Sequence, residues 1–160
     1  MKHGRVVVSV VSHAYGDLVA KQLDALNRSC AAPRGVVVTI NVPEVLSISS
    51  SDFKFPLRPV RNSGPRGFGA SHNVAFAGGN SLFFCGANPD VRLTSDPLPG
   101  LMKAFNGERI AVAGPLVRAP DGRVEDSARR FAAPYSSLKK LFPPSQGPDY
   151  PIDGGLIEVD

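Results

Sequence analysis

Polar side chains that could contact a ligand occur in short clusters, and each cluster follows an apolar run of the kind that forms a buried strand. The clusters are Ser12-His13, Asn41-Val42-Pro43-Glu44, Arg61-Asn62 through Asn73, and Asn88-Pro89-Asp90. In an open α/β sheet, ligands bind beyond the carboxyl ends of the strands. The clusters therefore predict one binding site at that edge of a sheet.

The cluster Asn88-Pro89-Asp90 has two interpretations. Asn, Pro and Asp are common turn formers, which favours a plain turn. A carboxylate that follows residues 82–85, the most apolar stretch of the chain, can also be a metal ligand. From position alone, the turn is the better interpretation of Asp90.

The glycine-rich segment of residues 64–69 leads into a predicted helix. It lacks the third glycine of the dinucleotide fingerprint and the Gly-Lys-Ser/Thr of a P-loop. Two interpretations are equally good. The segment is either a glycine turn before a helix, or a set of backbone N–H groups that approach a phosphate, with Arg61 and Arg66 nearby.

The remaining charged and histidine side chains have simpler explanations. No G-x-S-x-G motif occurs, so His13 and His72 are better explained as hydrogen-bonding spacers than as parts of a nucleophilic triad. The formal net charge is +4, and residues 54–66 carry basic residues with no acid among them. That segment suits a phosphate-bearing ligand. Asp126, Arg129 and Arg130 are typical of a solvated face.

Nucleic acid is not expected as a partner. The chain has no Trp, and aromatic residues do not alternate with the basic ones as they would on a nucleic-acid surface. An anionic small molecule is the simpler expectation from the charge pattern.

The elements that must position these clusters begin with a β-α-β unit. Residues 5–12 and 36–40 are β-branched runs typical of buried parallel strands. Between them, apolar residues at helical spacing predict a helix with Asp17 as its cap. A right-handed crossover onto a parallel sheet follows.

The rest of the chain continues this alternation. We expect strands at 57–61, 82–85 and 110–113, helices at 70–77 and 98–105, and a hairpin turn at Asp121-Gly122. The fold class is therefore α/β, with a mostly parallel sheet flanked by helices.

The composition indicates a globular chain of one domain. It has 160 residues, of which 42% are apolar and 20% charged. No apolar run approaches the roughly 18 residues of a membrane span, and no signal peptide is recognised. Cys30 and Cys85 are too few for a disulfide framework. We expect a soluble cytoplasmic protein.

Taken in order, the clusters resemble those of family 2 glycosyltransferases, and most closely the rhamnosyltransferase-like branch of bacterial polysaccharide biosynthesis. The resemblance covers residues 6–142. It is carried by VVSVVSH (7–13), TINVPE (39–44), RN (61–62), GFGASHNVAF (67–76), NPDVRL (88–93) and GRVEDSARRF (122–131). It implies the GT-A fold, a Rossmann-like sheet that binds a nucleotide sugar.

The resemblance also implies roles for individual residues. The donor-binding residues would be Ser12, His13, Asn41, Glu44, Asn62, Gly67, Phe68, Asn73 and Asn88. Ser12 and His13 would contact the nucleotide, and Asn41 and Glu44 would face its base. Asn88-Pro89-Asp90 takes the place of the D-x-D element, so Asp90 would hold the Mg²⁺ or Mn²⁺ that bridges the donor diphosphate.

The activity implied is an inverting, metal-assisted sugar transfer from dTDP-rhamnose or a UDP-sugar to a polysaccharide or glycolipid acceptor. The family's D-W-x-x-G element and Glu-Asp segment are not found, so the catalytic base is expected beyond Asp160. Residues 1–160 are then the donor-binding part of a GT-A domain. The resemblance also implies that the protein contacts the cytoplasmic face of the inner membrane peripherally. The alternatives are a catalytically inactive nucleotide-sugar binding fragment and an α/β phosphate-binding module of unrelated function.

Overall fold

The computed structural model of the chain describes residues 5–29, 32–106, 110–119 and 121–124. Its elements are β1 (Val6–Ser12), α1 (Gly16–Arg28), β2 (Gly35–Ile40), a short 3₁₀ helix (Ser50–Asp52), β3 (Leu57–Arg61), α2 (Phe68–Ala77), β4 (Phe83–Ala87) and α3 (Pro97–Ala104). The strands form one sheet in the order β3-β2-β1-β4, and all pairs are parallel. The α/β fold with a parallel sheet is thus confirmed, and it is consistent with a Rossmann-like domain.

β1 is a central strand and β4 an edge strand of the described sheet. The register places Val8 of β1 between Val36 of β2 and Cys85 of β4. Val8 is buried, as expected for a parallel strand covered on both faces. Every residue of β4 keeps some exposure, and Leu82, which precedes the strand, is 69% exposed. The prediction of a fully buried strand at 82–85 is wrong because no described strand pairs with the outer edge of β4.

Helices cover both faces of the sheet. The core on one face contains Val6, Val8, Val10, Val19, Leu23, Leu26, Val36, Val38, Phe55 and Leu98, which come from β1, α1, β2, the β2–β3 connection and α3. Side chains alternate along a strand, so Ser9 of β1 faces the opposite side, where it bonds His72 of α2. Among the described helices, none combines the length and the apolar character that crossing a membrane requires.

α1 begins without the side-chain cap that the sequence predicts. Tyr15 is the N-cap residue, and its side chain makes no capping bond. Asp17 lies inside the first turn, where its negative charge interacts favourably with the helix dipole. Ser12 holds the connection instead, because its Oγ accepts the Tyr15 N–H at 3.2 Å. The prediction of Asp17 as the cap is wrong because the helix starts at Gly16, which makes Tyr15, two residues before Asp17, the N-cap.

From Ala104 onward, the described residues belong to a second compact unit. The predicted turn at Asp121-Gly122 is present: Arg118 and Val124 form an antiparallel bridge, and Gly122 has a φ of +85°, which favours glycine. The strand predicted at 110–113 is not formed. Val112 is 87% exposed, and an apolar run without a pairing partner does not become a strand.

Candidate functional site

Three strand ends lie side by side at the carboxyl edge of the sheet. Ser12 pairs with Ile40, and Ile40 pairs with Arg61. Main-chain bonds extend this order past the strands, since Asn41 N–H donates to Ser12 O at 2.9 Å and Asn62 N–H donates to Ile40 O at 3.0 Å. The edge therefore brings together Ser12, Asn41 and Asn62, as the sequence clusters predict.

Asn41 is the centre of a hydrogen-bond network at this edge. Its side chain is buried, and Oδ1 accepts from the Arg66 main-chain N–H and from Asn62 Nδ2, both at 2.8 Å. Its Nδ2 donates to the Arg66 main-chain oxygen at 2.9 Å. With these bonds the Asn41 amide is satisfied by the protein itself. Asn41 thus organises the edge more than it offers free atoms to a ligand.

The network fixes which nitrogen of the neutral His13 ring carries the proton. Arg66 N–H can only donate and Arg66 O can only accept, so the orientation of the Asn41 amide is defined. Asn41 Nδ2 lies 3.0 Å from His13 Nδ1 and must be the donor of that bond. His13 therefore carries its proton on Nε2. The ring is exposed, and its Nε2–H is a donor at the edge of the sheet.

Asn62 connects the network to α2. Its Nδ2 also donates to Ser71 Oγ at 3.2 Å, and Ser71 is fully buried. The segment of residues 62–67, with Arg66 held by Asn41, is thereby fixed at the start of α2. Side chains at Gly67 and Gly69 would meet no atom within 4 Å, so open space surrounds both glycines.

Two predicted donor-binding residues lie apart from the Asn41 network. Asn73 is exposed on α2 and no hydrogen bond links it to Asn41. Phe68 is 55% exposed and packs edge-on against His72, with 4.3 Å between ring centroids. Both remain predictions as ligand contacts, while Ser71, which the sequence did not single out, belongs to the network.

An open cleft of about 510 Å³ lies next to this network, at the start of α1. It is lined by residues 14–18, Lys21, Glu44 and Val45. Glu44 Oε1 accepts the Ala14 N–H at 3.2 Å, and Ala14 has a φ of +64°, an uncommon value outside glycine. Glu44 and Asp17 outnumber Lys21, so the side chains of this cleft carry a net negative charge, and the two carboxylates offer acceptors to hydrogen-bond donors.

A smaller pocket of about 100 Å³ lies elsewhere on the sheet, between α2 and the strands. Its lining includes Val7, Phe76 and Phe84 and none of the predicted site residues. Val7 is near the start of β1, far along the strand from Ser12. This pocket is therefore separate from the candidate site.

The Asn88-Pro89-Asp90 cluster forms a turn. Val91 N–H donates to Asn88 O at 3.2 Å, Pro89 is buried, and Asp90 is exposed. β4 ends at Ala87 opposite Val10 of β1, so this turn belongs to the same carboxyl edge as Ser12. The turn interpretation is confirmed, and the role of Asp90 as a metal ligand stays a prediction.

The exposed carboxylate of Asp90 is the oxygen ligand that the proposed cation would use at this edge. No group of three or more His, Cys, Asp or Glu side chains that could hold a metal occurs in the part of the chain that the structure describes. Mg²⁺ at a phosphate substrate, however, takes only one or two carboxylates from the protein and its other ligands from phosphate and water. Asp90, an exposed oxygen ligand, fits that pattern.

His72 is a residue of α2 whose ring faces the sheet and does not lie at the carboxyl edge. Its Nδ1 is 2.8 Å from the Oγ of Ser9 on β1, and its Nε2 is buried and has no hydrogen-bond partner among the described residues. Burial lowers the pKa of His72, because the charged ring would lose its hydration. The prediction that His72 is a hydrogen-bonding spacer agrees with this contact.

Comparison with known proteins gives no match: no family model, no curated protein and no solved structure is similar to this chain. The fold and the edge geometry must therefore carry the functional argument.

Proposed function

We propose that this chain binds a nucleotide-sugar donor at the carboxyl edge of its sheet, and that it serves an inverting, metal-assisted glycosyltransferase. The observation that carries the proposal is the Asn41 network beside the acidic cleft. It joins segments of β1, β2 and the loop before α2 into one surface, in the order that the resemblance to family 2 glycosyltransferases implies.

The cleft suits the base of the nucleotide. Ligand pockets for molecules of this size have volumes of roughly 300–1,000 Å³, and the cleft has about 510 Å³. A uracil or thymine ring presents an N–H donor between two carbonyl oxygens. The Glu44 carboxylate would accept from that N–H. The exposed His13 ring, next in sequence to Ala14 of the cleft lining, would donate its Nε2–H to a carbonyl oxygen.

The diphosphate would lie outside the acidic cleft, toward the start of α2. Arg66 is exposed and its main chain is held by Asn41, so its guanidinium is available to an anion. The open space at Gly67 and Gly69 lets a ligand approach the backbone closely. Asp90 would hold the cation, and a cation bound there supplies positive charge that stabilises the departing nucleoside diphosphate.

The acceptor would be a saccharide or a lipid-linked saccharide, in the cytoplasm at the inner membrane face. An inverting transfer also needs a carboxylate that takes the proton of the acceptor hydroxyl. We assign that base to no described residue, because Glu44 already accepts the Ala14 N–H and Asp90 is proposed to bind the cation.

Calorimetric titration of the chain with UDP and with dTDP, in buffer containing Mn²⁺, tests the donor site. We expect one of the two nucleotides to bind, and Glu44→Gln to weaken it about tenfold because a charged acceptor is lost. Gln keeps an oxygen for the Ala14 N–H. Asp24→Asn, at an exposed acid on α1, is the matched control and should bind as the wild type does.

A turnover assay separates the enzyme from the alternative. Release of UDP or dTDP from the sugar nucleotide, in the presence of a saccharide acceptor, supports a transferase. Tight binding without turnover supports the inactive nucleotide-sugar binding fragment, and binding of neither nucleotide contradicts both.

A further inference from the structure

α1 buries one polar side chain among its apolar ones. Its buried residues are Val19, Gln22, Leu23 and Leu26, and Gln22 is only 4% exposed. Leu23 and Leu26 pack in the core of the sheet, as the helical spacing predicts. Gln22 needs a different explanation, because a buried amide must replace the hydrogen bonds that it would make with water.

The Gln22 amide makes one long-range bond. Its Nε2 donates to the main-chain oxygen of Asn88 at 3.0 Å, across 66 positions of sequence. Its Oε1 is buried and has no hydrogen-bond partner among the described residues. An apolar side chain of similar length would fill this space without leaving an unpaired acceptor. The amide at this position is therefore explained by the bond to Asn88 and not by packing.

That bond acts on the turn that carries Asp90. The Asn88 oxygen also accepts the Val91 N–H at 3.2 Å, which closes the turn. Pro89 follows Asn88 in the position of a β-turn where proline is favoured, and it is buried. The turn is anchored by Gln22 and Pro89, while Asp90 is exposed beyond these anchors.

We propose that Gln22 is a positioning residue for Asp90, acting through the main-chain oxygen of Asn88. This inference rests on the proposed function, in which Asp90 holds a divalent cation. A protein carboxylate binds a cation better when the groups around it hold it in place. Gln22 does this from α1, the helix whose first turn lines the nucleotide cleft, so one helix supports both halves of the site.

The first measurement is the affinity for UDP with Mn²⁺ and with EDTA, on the full chain. Gln22→Met removes the donor and keeps the length of the side chain. We expect the Mn²⁺-dependent gain in UDP affinity to fall about tenfold, as for other residues that orient a metal ligand. UDP affinity in EDTA should stay within about twofold of the wild-type value, because a residue that only orients a metal ligand changes nothing when the metal is removed.

The matched control is Asn27→Leu. Asn27 also bonds main-chain atoms from α1, donating to Asp52 O at 3.1 Å and accepting from Lys54 N–H at 2.8 Å. These bonds hold the loop near Phe53 and not the Asp90 turn. Asn27→Leu should therefore keep the full Mn²⁺-dependent gain.

The second measurement needs no nucleotide. Amide hydrogen exchange at Val91 reports opening of the turn, since its N–H is bonded to Asn88 O. We expect exchange at Val91 to be faster in Gln22→Met than in the wild type and unchanged in Asn27→Leu. Gln22→Leu repeats both measurements if the Met variant does not fold.

The outcomes separate the two proposals. Unchanged exchange at Val91 overturns the positioning role, whatever the nucleotide results. An equal loss of UDP affinity with Mn²⁺ and with EDTA also overturns it, since a general structural effect would explain both losses. If Mn²⁺ does not raise the UDP affinity of the wild-type chain, Asp90 does not hold a cation. Gln22 then has no metal ligand to position, even if exchange at Val91 shows that its bond to Asn88 is made.

Discussion

Asn41 holds the main chain of Arg66 at both of its polar atoms, accepting from its N–H at 2.8 Å and donating to its oxygen at 2.9 Å. This pairing resembles the exchange of bonds between two strands, but a side chain provides one half of it. It ties the loop before α2 to the end of β2. As a result, the backbone of Arg66 is fixed while its guanidinium stays exposed.

Asn41→Asp should destabilise the fold. The new carboxylate oxygen replaces the Nδ2 donor and faces the main-chain oxygen of Arg66, which can only accept. We expect a loss of about 1–3 kcal/mol in the free energy of unfolding, the cost of an unmatched buried polar pair, measured by urea denaturation at pH 7.5. The control Asn73→Asp, at an exposed position of α2, should change it by less than about 0.5 kcal/mol.

The buried ring of His72 should make stability depend on pH. Burial lowers the pKa of His72 in the folded chain below its ordinary value of 6.5. Between the two pKa values, His72 is protonated in the unfolded chain but not in the folded chain. The free energy of unfolding therefore falls as the pH is lowered from about 7, and the fall ends once the pH is below the pKa of the folded chain. Urea midpoints between pH 5 and 7.5 measure this slope.

Two variants show whether His72 is the source of that slope. His72→Gln keeps a polar partner for Ser9 and should remove the His72 contribution, leaving a flatter profile. Asn73→Gln, at an exposed position of α2 that carries no titratable group, should keep the wild-type slope. Equal slopes in the wild type and His72→Gln would contradict the assignment.

The parallel sheet could be predicted because its signals are local. The β-branched run of β1 and the helical spacing of α1 each reflect burial of an apolar face, and short connections then leave few topologies. The strand predicted at 110–113 failed because pairing is a tertiary property that a four-residue apolar run does not contain. α2 begins at Phe68, two residues before its prediction, since Gly69 is tolerated in its first turn although glycine is a weak helix former.

The candidate site could be predicted only as a set of strand ends. Residues that follow parallel strands must share an edge, which is why Asn41 and Asn62 meet. The bonds of Asn41 to Arg66 and of Gln22 to Asn88 span 25 and 66 positions. No residue type or spacing encodes them, because they depend on how a loop and a helix pack after the sheet has formed.

Cys85 should react slowly with thiol reagents. It lies on β4 against the hydrophobic core, and burial raises the pKa of its thiol above the ordinary value of 9.0. Less thiolate is then present at pH 8, and thiolate is the reactive form. In a Cys30→Ser background, the rate of reaction with a disulfide reagent should rise strongly when the fold is unfolded in urea. A rate that urea leaves unchanged would mean that Cys85 is not protected.

Asp90→Ala should remove the metal-dependent part of nucleotide binding and leave the fold intact. Asp90 is exposed in a turn whose main chain is held by Gln22 and closed by Val91, so the loss of its side chain leaves those bonds in place. UDP affinity in Mn²⁺ should fall to the value measured in EDTA, with an unchanged melting temperature. The control Asp24→Ala removes an exposed carboxylate from α1 and should keep the difference between Mn²⁺ and EDTA. If Mn²⁺ raises the UDP affinity of Asp90→Ala as much as it raises that of the wild type, another group holds the cation. The proposed correspondence between Asn88-Pro89-Asp90 and a D-x-D element would then be wrong.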